Sequence, residues 1–356
     1  MSSLLYRFTC FVVSIIRSIR EKRLDLELKM LHRKRVRSYG AEKVLTKEQE
    51  AQVQKYYAPY GKVTTDFHNF YTKITGQFHS NYLPDDLYYN RIDRYYNDWR
   101  ECAYIDNKCF YRRMFAGVQQ PEEVASRIGG LWFTGDFEQI NREKLEEMLA
   151  KEPEVVVKMA TGSEGGKGVY FIKGSELSAV EPKIQGDIVI QRPLKQHEIL
   201  NAISASSVNT VRLISLLSED GVKIYSSIFR MGINGARVDN ASSGGITCGI
   251  TEDGKLRKYA CKVNGERFDK HMDSGVIFEG YEVPGYQKCR DAVLKLHVQV
   301  PRFRLVSWDF AIDPDGEPVL IEANLHYGEL DFHQLNNGPI FGEDTEKILN
   351  EVFNKR

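Results

Sequence analysis

The chain has 356 residues, of which 42% are hydrophobic and 28% are charged, a composition typical of a soluble globular protein with about two domains. Its 49 basic and 49 acidic residues cancel, so the overall charge gives no argument for a nucleic-acid partner. The six cysteines show neither a C-x-x-C pair nor zinc-ligand spacing. This argues against a thiolate metal site and favours free, packed thiols in the reducing cytoplasm.

The first 40 residues contain ten basic and three acidic residues and therefore carry a net charge of +7. Apolar residues from Leu4 to Ile19 recur at helical spacing, but Arg7 interrupts them and the run is too short to span a membrane. A basic amphipathic helix within residues 1–37 is typical of peripheral attachment to an anionic membrane surface, here the inner face of the cell membrane. Packing of this helix on the protein's own core is the alternative.

Residues 41–110 predict a helical region that is rich in tyrosine, with eleven tyrosines between residues 56 and 111. Tyrosines can stack on a sugar or a base, but half-buried packing with hydrated hydroxyl groups is the favoured interpretation. The pattern then predicts two helices, at residues 121–128 and 141–149. Parallel strands alternating with helices are not indicated in this part of the chain.

A glycine-rich loop separates two β-branched runs, residues 155–157 and 169–172. Glycine lets backbone N–H groups approach an anion closely, and Lys158 at the end of the first run could reach a phosphate as a point charge. The loop is not a Walker A motif, because the chain has no G-x-x-x-x-G-K-[ST] pattern followed by a helix. An ordinary glycine-rich hairpin is the alternative. The candidate phosphate-binding residues of the loop are Gly162, Ser163, Gly165, Gly166 and Lys167.

Residues 187–194 predict a buried strand that ends in an extended segment, since Pro193 keeps the residue before it out of the α conformation. The free backbone groups of such a segment, which includes Gln191, Arg192 and Leu194, could pair with the edge of an adenine. Glu198 follows seven residues after Gln191 and could bind ribose hydroxyls.

Two arginine-bearing strands come next. Residues 207–214 alternate so that Arg212 shares a face with Thr210 and Ile214, and the strand at residues 222–233 brings Arg230. A loop at residues 239–245 follows, with Asn240, Gly244 and Gly245 among its members, and residues 286–298 predict a helix.

The last predicted hairpin joins strands at residues 306–312 and 319–324 through the turn sequence Asp-Pro-Asp-Gly. Asp309 stands on the first strand, and Glu322 and Asn324 stand two residues apart on the second, so these last two face the same side. Two carboxylates and an amide oxygen form a hard-oxygen pocket of the kind that Mg²⁺ prefers. Solvent-exposed strand carboxylates are the alternative.

The order of these motifs resembles the ATP-grasp superfamily, and the runs Ser207-x-Asn209-Thr210-Val-Arg212 and Ser307-Trp308-Asp309 resemble its sugar-transfer-associated branch. The resemblance covers roughly residues 105–350. It implies an α+β ATP-grasp fold, in which two subdomains grip ATP between antiparallel sheets, with a helical region in front. We expect a basic segment at 1–40, a tyrosine-rich region at 41–110 and the ATP-grasp domain at 111–356, divided at residue 195.

The resemblance also implies roles for individual residues. Lys158 would hold the α- and β-phosphates of ATP, and the glycine loop with Lys167 would close over the β- and γ-phosphates. Adenine would bind at residues 191–194, ribose at Glu198, and one or two Mg²⁺ ions at Asp309, Glu322 and Asn324. Arg212 and Arg230 would face the γ-phosphate and the acyl phosphate formed from it. Asn240, Gly244 and Gly245 would line the same cavity.

The implied activity is an ATP- and Mg²⁺-dependent ligase that joins an amine to the carboxylate of a cell-surface glycan precursor or sugar acid. Two features depart from the family's usual pattern: a helical, tyrosine-rich N-terminus in place of a Rossmann-like domain, and Gln191 where a glutamate is usual. A phosphotransferase acting on a hydroxyl is the alternative function, with Asp331, His326 or His333 as its general base. A nucleotide-binding protein without catalysis is disfavoured, because every expected phosphate- and metal-binding residue type is present.

Overall fold

The structure is a computed structural model that describes residues 3–39, 43–162, 168–239 and 244–354, and these residues fall into two units. One unit comprises the described residues up to Asp93 together with those from Asp344 onward, and the other is Arg94–Glu343. The first is helical and the second contains two antiparallel sheets, so the predicted α+β class and helical N-terminal region are confirmed. The division predicted at residues 40, 110 and 195 stays a prediction.

The helices and strands have the following bounds in chain order. The helices are α1 (Ser3–Ser38), α2 (Lys47–Tyr57), α3 (Asp66–Thr75), α4 (Asp85–Leu87), α5 (Arg94–Tyr96), α6 (Trp99–Ile105), α7 (Tyr111–Met114), α8 (Arg142–Leu149), α9 (Leu177–Val180), α10 (Glu198–Ile203), α11 (Tyr286–His297), α12 (Leu330–Asn337) and α13 (Thr345–Asn354). The strands are β1 (Glu123–Ile128), β2 (Leu131–Thr134), β3 (Gln139–Ile140), β4 (Val155–Met159), β5 (Val169–Ile172), β6 (Ile188–Gln191), β7 (Thr210–Ser218), β8 (Gly221–Met231), β9 (Ile246–Ile250), β10 (Leu256–Cys261), β11 (Arg267–Phe268), β12 (Leu305–Ile312) and β13 (Pro318–Asn324).

The tyrosines of the N-terminal unit are packing residues. Tyr57, Tyr71 and Tyr82 are fully buried, and their hydroxyl groups are used within the unit. Tyr57 donates a hydrogen bond to the carbonyl of Tyr82 at 2.7 Å, and Tyr71 donates to an Asp85 carboxylate oxygen at 2.7 Å. Buried tyrosines usually find such partners, so stacking on a ligand is not needed to explain this group.

The first sheet has six strands in the order β3-β2-β1-β6-β4-β5, and all its pairs are antiparallel. The prediction of a helix at residues 121–128 was wrong, because Glu123–Ile128 is strand β1. Gly129 and Gly130 both have positive φ and form a two-residue hairpin turn into β2, a conformation that glycine adopts readily. Helix α8 packs on one face, against apolar residues such as Val155, Val157 and Ile190.

The second sheet has seven strands in the order β11-β10-β9-β8-β7-β12-β13. Helix α11 packs on one face, where Val211, Phe229 and Trp308 are fully buried. Side chains alternate along each strand, so the residues between these core positions point to the opposite face. That opposite face is polar, and it holds the predicted arginines and the predicted magnesium ligands: Arg212, Arg230, Asp309, Glu322 and Asn324.

Candidate active site

The polar face of the seven-stranded sheet brings together three predicted strand residues by register alone. Asp309 on β12 lies opposite Arg212 on β7 and also opposite Glu322 on β13. One step along, Ser307 lies opposite Asn324. The prediction from period-2 alternation therefore placed Asp309, Glu322 and Asn324 correctly on one side of the hairpin.

Asp309 is held between two guanidinium groups. Its Oδ1 accepts a hydrogen bond from Arg212 Nε at 2.6 Å, and its Oδ2 accepts from Arg212 Nη2 at 2.5 Å and from Arg230 Nη1 at 3.0 Å. All three side chains are 3% to 4% exposed. Burial alone would raise the pKa of the Asp309 carboxyl, but Arg212 and Arg230 bring that pKa below its ordinary value.

Two further carboxylates complete this charge cluster. Glu329, in the loop after β13, pairs with Arg212 Nη1, while Asp239 lies 3.9 Å from Arg230 Nη2 and accepts a hydrogen bond from the Thr210 hydroxyl. Burial raises the pKa of the Asp239 carboxyl, although Arg230 opposes the shift. Neither acid was assigned a role from the sequence, because its partner is a strand residue distant in the chain.

Two lysines reach the same region, Lys158 from the six-stranded sheet and Lys108 from the short helix Lys108–Phe110. Val155 and Val157 face the core, so Lys158 on β4 points to the other side. Burial lowers the pKa of the Lys158 ammonium to about 8; Lys108 acts in the same direction, while Glu322 and Asp239 oppose it. Lys108 is 8% exposed, and its Nζ lies 2.7 Å from Glu322 Oε1, so this pair joins the short helix to the seven-stranded sheet.

Local hydrogen bonds explain the position of Lys108, which the sequence prediction missed. Its backbone N–H donates to the carbonyl of Ala160 directly after β4, at 2.9 Å. The side chain of Asn107 donates to Asp187 Oδ2 at 2.8 Å and accepts from the N–H of Cys109 at 3.1 Å. The run Asp106-Asn107-Lys108 was the available signal, since an Asn before a short helix is typical of a cap.

The segment after β6 has the backbone groups expected of an adenine site. The N–H of Arg192 donates to the carbonyl of Glu122 at 2.9 Å, which ties the segment to β1. Among the described residues, neither the carbonyl of Arg192 nor the N–H of Leu194 has a hydrogen-bond partner. The Oε1 of Gln191 is buried and likewise has no partner there. Two acceptors and one donor of these three residues thus have no partner among the described residues.

Two residues predicted to bind the nucleotide, Glu198 and Arg192, have exposed side chains. Glu198 is exposed at the first turn of α10. The guanidinium of Arg192 pairs with Glu152 at 2.6 Å and with Glu122. It lines a separate cavity of about 870 Å³ that does not include Lys158 or Glu322. The backbone of Arg192, and not its side chain, belongs to the candidate adenine site.

The oxygen donors at β12 and β13 are chemically suited to Mg²⁺. Within the described ranges no cluster of three or more His, Cys, Asp or Glu is placed to hold a metal, so the candidate set consists of two carboxylates and one amide. Asn324 uses its Nδ2 to donate to the carbonyl of Ser307 at 3.2 Å, which leaves its Oδ1 for another partner. A carboxylate has about four lone-pair sites, of which Asp309 uses three for guanidinium groups, whereas Glu322 uses one for Lys108 and therefore has more capacity for an ion. The residues fit the ion.

Several predicted loop residues lie outside the described residues: Ser163, Gly165, Gly166, Lys167 and Asn240. The flanking Gly162 and Gly168 have φ of 69° and 71°, a left-handed conformation that favours glycine. A Cβ on Gly168 would also lie 2.6 Å from the sulfur of Met159. Gly244 and Gly245 precede β9, and the φ of Gly244 is 102°.

The candidate general bases lie after the metal strand. His326 Nδ1 is 3.6 Å from Asp106 Oδ2, and burial raises the pKa of Asp106 to about 7. Asp331 is buried in the first turn of α12, where it accepts the N–H of Phe332 at 3.1 Å. His333 is fully buried, and its burial lowers its pKa to about 3, so it is a poor proton acceptor.

The cysteines are packing residues wherever their side chains are described. Cys102, Cys109, Cys248, Cys261 and Cys289 are free and buried. Burial raises the pKa of the Cys248 thiol well above its usual range, which disfavours the thiolate that a nucleophile needs.

Comparison with families of known proteins matches residues 88–350 to the family described as sugar-transfer associated ATP-grasp. The ATP-grasp fold expected from the sequence is thereby confirmed. A comparison with curated proteins found no match.

Solved structures with a similar arrangement include an ADP complex of the N5-carboxyaminoimidazole ribonucleotide synthetase purK, with 14% identity over 63% of this chain and 46% of that chain and a TM-score of 0.38. Another is the ATP-grasp ligase PsnB in complex with a minimal precursor, with 14% identity over 72% of this chain and 64% of that chain and a TM-score of 0.41. A third is the VanG D-Ala:D-Ser ligase from Enterococcus faecalis, with 13% identity over 70% of this chain and 61% of that chain and a TM-score of 0.41. The chain thus spans roughly half to two thirds of the length of these proteins, and at such scores the likeness adds nothing about the site.

Proposed function

The chain belongs to the sugar-transfer associated ATP-grasp family, and from this premise we propose that it is an ATP- and Mg²⁺-dependent carboxylate–amine ligase. One observation carries the proposal. Lys158 from the six-stranded sheet and Lys108 from the short helix Lys108–Phe110 lie with Arg212 and Arg230 of the seven-stranded sheet around one group of carboxylates. Four cations converging on one place suit a reaction in which a phosphoryl group transfers.

The nucleotide would bind with its adenine at the segment after β6. The 6-amino group of adenine is a donor, which suits the carbonyl of Arg192 and the buried Oε1 of Gln191, and the ring N1 would accept from the N–H of Leu194. Guanine presents an oxygen in place of that amino group, so the pocket favours adenine although Gln191 replaces the family's usual glutamate. Glu198 would contact the ribose.

The phosphates would lie between the lysines and the oxygen donors of β12 and β13. Lys158 and Lys108 would hold phosphate oxygens, and the loop between β4 and β5 would cover the β- and γ-phosphates. Mg²⁺ bound by Asp309, Glu322 and Asn324 would neutralise the phosphate charge. Arg212 and Arg230 would then face the γ-phosphate, with their orientation fixed by Asp309.

The proposed chemistry has two parts. A substrate carboxylate oxygen attacks the γ-phosphorus while the bond from that phosphorus to ADP breaks, which gives an acyl phosphate. The amine nitrogen then attacks the acyl carbon, the carbon–oxygen bond to phosphate breaks, and the nitrogen loses a proton. The protein's part is to position the reactants and to neutralise charge, so no covalent nucleophile is needed.

The substrate class is proposed from the family's association with sugar transfer. We infer that the carboxylate belongs to a sugar acid or a cell-surface polysaccharide precursor and that the amine belongs to an amino acid. The alternative is phosphoryl transfer to a hydroxyl, for which Asp106, with a pKa of about 7 beside His326, would be the base.

We further propose that α1 attaches the protein peripherally to an anionic membrane surface. Phe11, Ile15 and Ile19 are 42% to 62% exposed and follow one another at four-residue spacing along one stripe of the helix. The last turns dock within the unit, where His32 and Val36 are buried and Arg33 pairs with Asp86 at 2.8 Å. Across the described residues, no helix is long and apolar enough to cross a membrane.

Product mass tests the ligase proposal. The full chain is incubated with Mg-ATP, pooled amino acids and pooled uronic acids, and products are identified by mass spectrometry. We expect ADP, phosphate and a product whose mass equals acid plus amine minus water. A product heavier by one phosphoryl group on a hydroxyl would establish the phosphotransferase, and ATP binding without turnover would overturn both.

Glu322→Gln is the matched loss-of-function variant. It should lower turnover by at least about a hundredfold, because a ligand of Mg²⁺ and the partner of Lys108 is lost. Glu322 is preferred over Asp309, whose removal would take the shared carboxylate from two buried guanidinium groups at a cost of about 3–5 kcal/mol. The exposed Glu219→Gln is the control and should turn over like the wild type.

A further inference from the structure

His333 on α12 is a buried imidazole on the polar face of the seven-stranded sheet. Helix α12 lies on that face, because Phe332 packs against Ile228, which stands opposite Arg212 in the sheet. Asn336 confirms the placement by donating to the Thr247 hydroxyl at 2.9 Å, and Thr247 stands opposite Arg230. His333 is 0% exposed.

Hydrogen bonds fix which nitrogen of His333 carries the proton. Nδ1 lies 2.8 Å from the hydroxyl of Ser226, and that hydroxyl already accepts a hydrogen bond from Asn337 Nδ2 at 2.9 Å. Among the described residues Nδ1 is the acceptor available to the Ser226 proton, so we assign the ring proton to Nε2. His333 thus has an N–H donor at Nε2.

That donor has no partner in the part of the chain that the structure describes, and neither does the buried Nε of Arg230. Buried polar atoms are nearly always hydrogen-bonded, so each of these two donors calls for an acceptor that the described residues do not supply, either a water or a ligand oxygen. Arg212, Arg230 and Asp309 are near enough to influence the charge of the His333 ring. Burial and the two arginines keep this ring neutral, so it donates a hydrogen bond without carrying a charge.

Glu329 places a carboxylate in the same region. It pairs with Arg212, and its charge also acts on Arg230. Its φ is 61° and that of Tyr327 is 54°, so two non-glycine residues of this loop have left-handed backbones that cost about 1–3 kcal/mol each. The strained loop thus holds the Glu329 carboxylate against Arg212, in the position that a substrate oxyanion would take.

We propose that Arg212, Arg230 and the Nε2–H of His333 form a subsite for the reacting oxyanion, and that Glu329 occupies this subsite until the oxyanion displaces it. The proposal rests on the proposed ligase function and specifies its substrate end: the oxyanion is the carboxylate to be activated or the phosphoryl group that it receives. His333 is a positioning donor, and Glu329 is the group that the substrate replaces.

Inorganic phosphate and acetate are the probes, each titrated by calorimetry into the full chain saturated with MgADP. His333→Leu should weaken phosphate binding about tenfold or more, since a hydrogen bond to a charged group is lost. His333→Gln, which keeps an N–H donor near the position of Nε2, should restore most of it. Glu329→Gln should tighten phosphate binding several-fold, because the competing charge is removed, and the exposed Glu219→Gln should change nothing.

MgADP affinity separates the possible failures. If the wild type does not bind MgADP, the proposed function itself fails. If MgADP binds normally while phosphate binding is the same in His333→Leu, or weaker in Glu329→Gln, the subsite is overturned. Should His333→Leu not fold, Ser226→Ala decides instead, because releasing the Nδ1 partner should weaken phosphate binding and leave MgADP affinity unchanged. Acetate competition with phosphate would assign the subsite to the carboxylate, and phosphate binding alone would assign it to the phosphoryl group.

Discussion

Lys158 shows how strongly one residue of the site depends on its surroundings. Burial lowers the pKa of its ammonium to about 8, whereas the unfolded chain holds the proton up to the ordinary value of 10.5. Folding therefore releases a proton between these two pH values, and the unfolded state binds more protons across the window. Stability that depends on Lys158 must rise with pH there, because the cost of burying its charge disappears as the proton leaves.

The expected measurement is a difference between two variants. Relative to Lys158→Met, the wild type should gain about 1–3 kcal/mol in free energy of unfolding from pH 8 to 10.5, followed by chemical denaturation. The exposed Lys173→Met is the matched control and should follow the pH profile of the wild type. A Lys158→Met difference that stays constant with pH would contradict the burial of a charged amine at this position.

Alternation within a strand was enough to predict some site residues and not others. Alternation places Glu322 and Asn324 on one face, and the observed pairing of Asp309 with Glu322 brings Asp309 to the same face. Lys108 and Glu329 lie in a short helix and a loop, where no periodicity relates a side chain to a face. Their partners, Glu322 and Arg212, are far away in sequence, so only the folded chain reveals the pairs.

Among the elements, β1 and α1 show what amphipathic patterns can and cannot decide. Residues 121–128 predict a helix from local preference, but β1 forms because the Gly129-Gly130 turn and two neighbouring strands complete its hydrogen bonds. Helix α1 was predicted correctly, with its role left open between docking and membrane contact. The structure divides it: the last turns are docked, while Phe11, Ile15 and Ile19 stay exposed over more than two turns.

Vesicle binding tests the proposed role of α1. The full chain should bind vesicles that contain phosphatidylserine, and Phe11→Ser, Ile15→Ser and Ile19→Ser together should weaken binding about tenfold or more, because three apolar side chains lose their place in the lipid. Ile277→Ser with Val298→Ser is the control, since both side chains are exposed elsewhere and should leave binding unchanged. Undiminished vesicle binding by the triple variant would contradict the proposed membrane role of α1.

At the scale of the whole molecule, any nucleotide that binds only the folded chain must raise its stability. At about a hundred times its dissociation constant, Mg-ATP should add about 2.7 kcal/mol to the free energy of unfolding. Mg-GTP should add far less, because its 6-oxo group would face the carbonyl of Arg192, which is an acceptor and offers no donor. Thermal unfolding with each nucleotide measures the difference.

The Gln191→Leu variant tests how much one side chain contributes to stabilisation of the folded chain by the nucleotide. Replacing the acceptor should reduce the stabilisation by Mg-ATP by about 1 kcal/mol, the value of one hydrogen bond, while the response to Mg-GTP rises or stays the same. The exposed Glu219→Gln should respond to both nucleotides like the wild type. Equal stabilisation of the wild type by both nucleotides would contradict the adenine assignment. It would leave the phosphate site intact, because the lysines and oxygen donors bind the phosphates that the two nucleotides share.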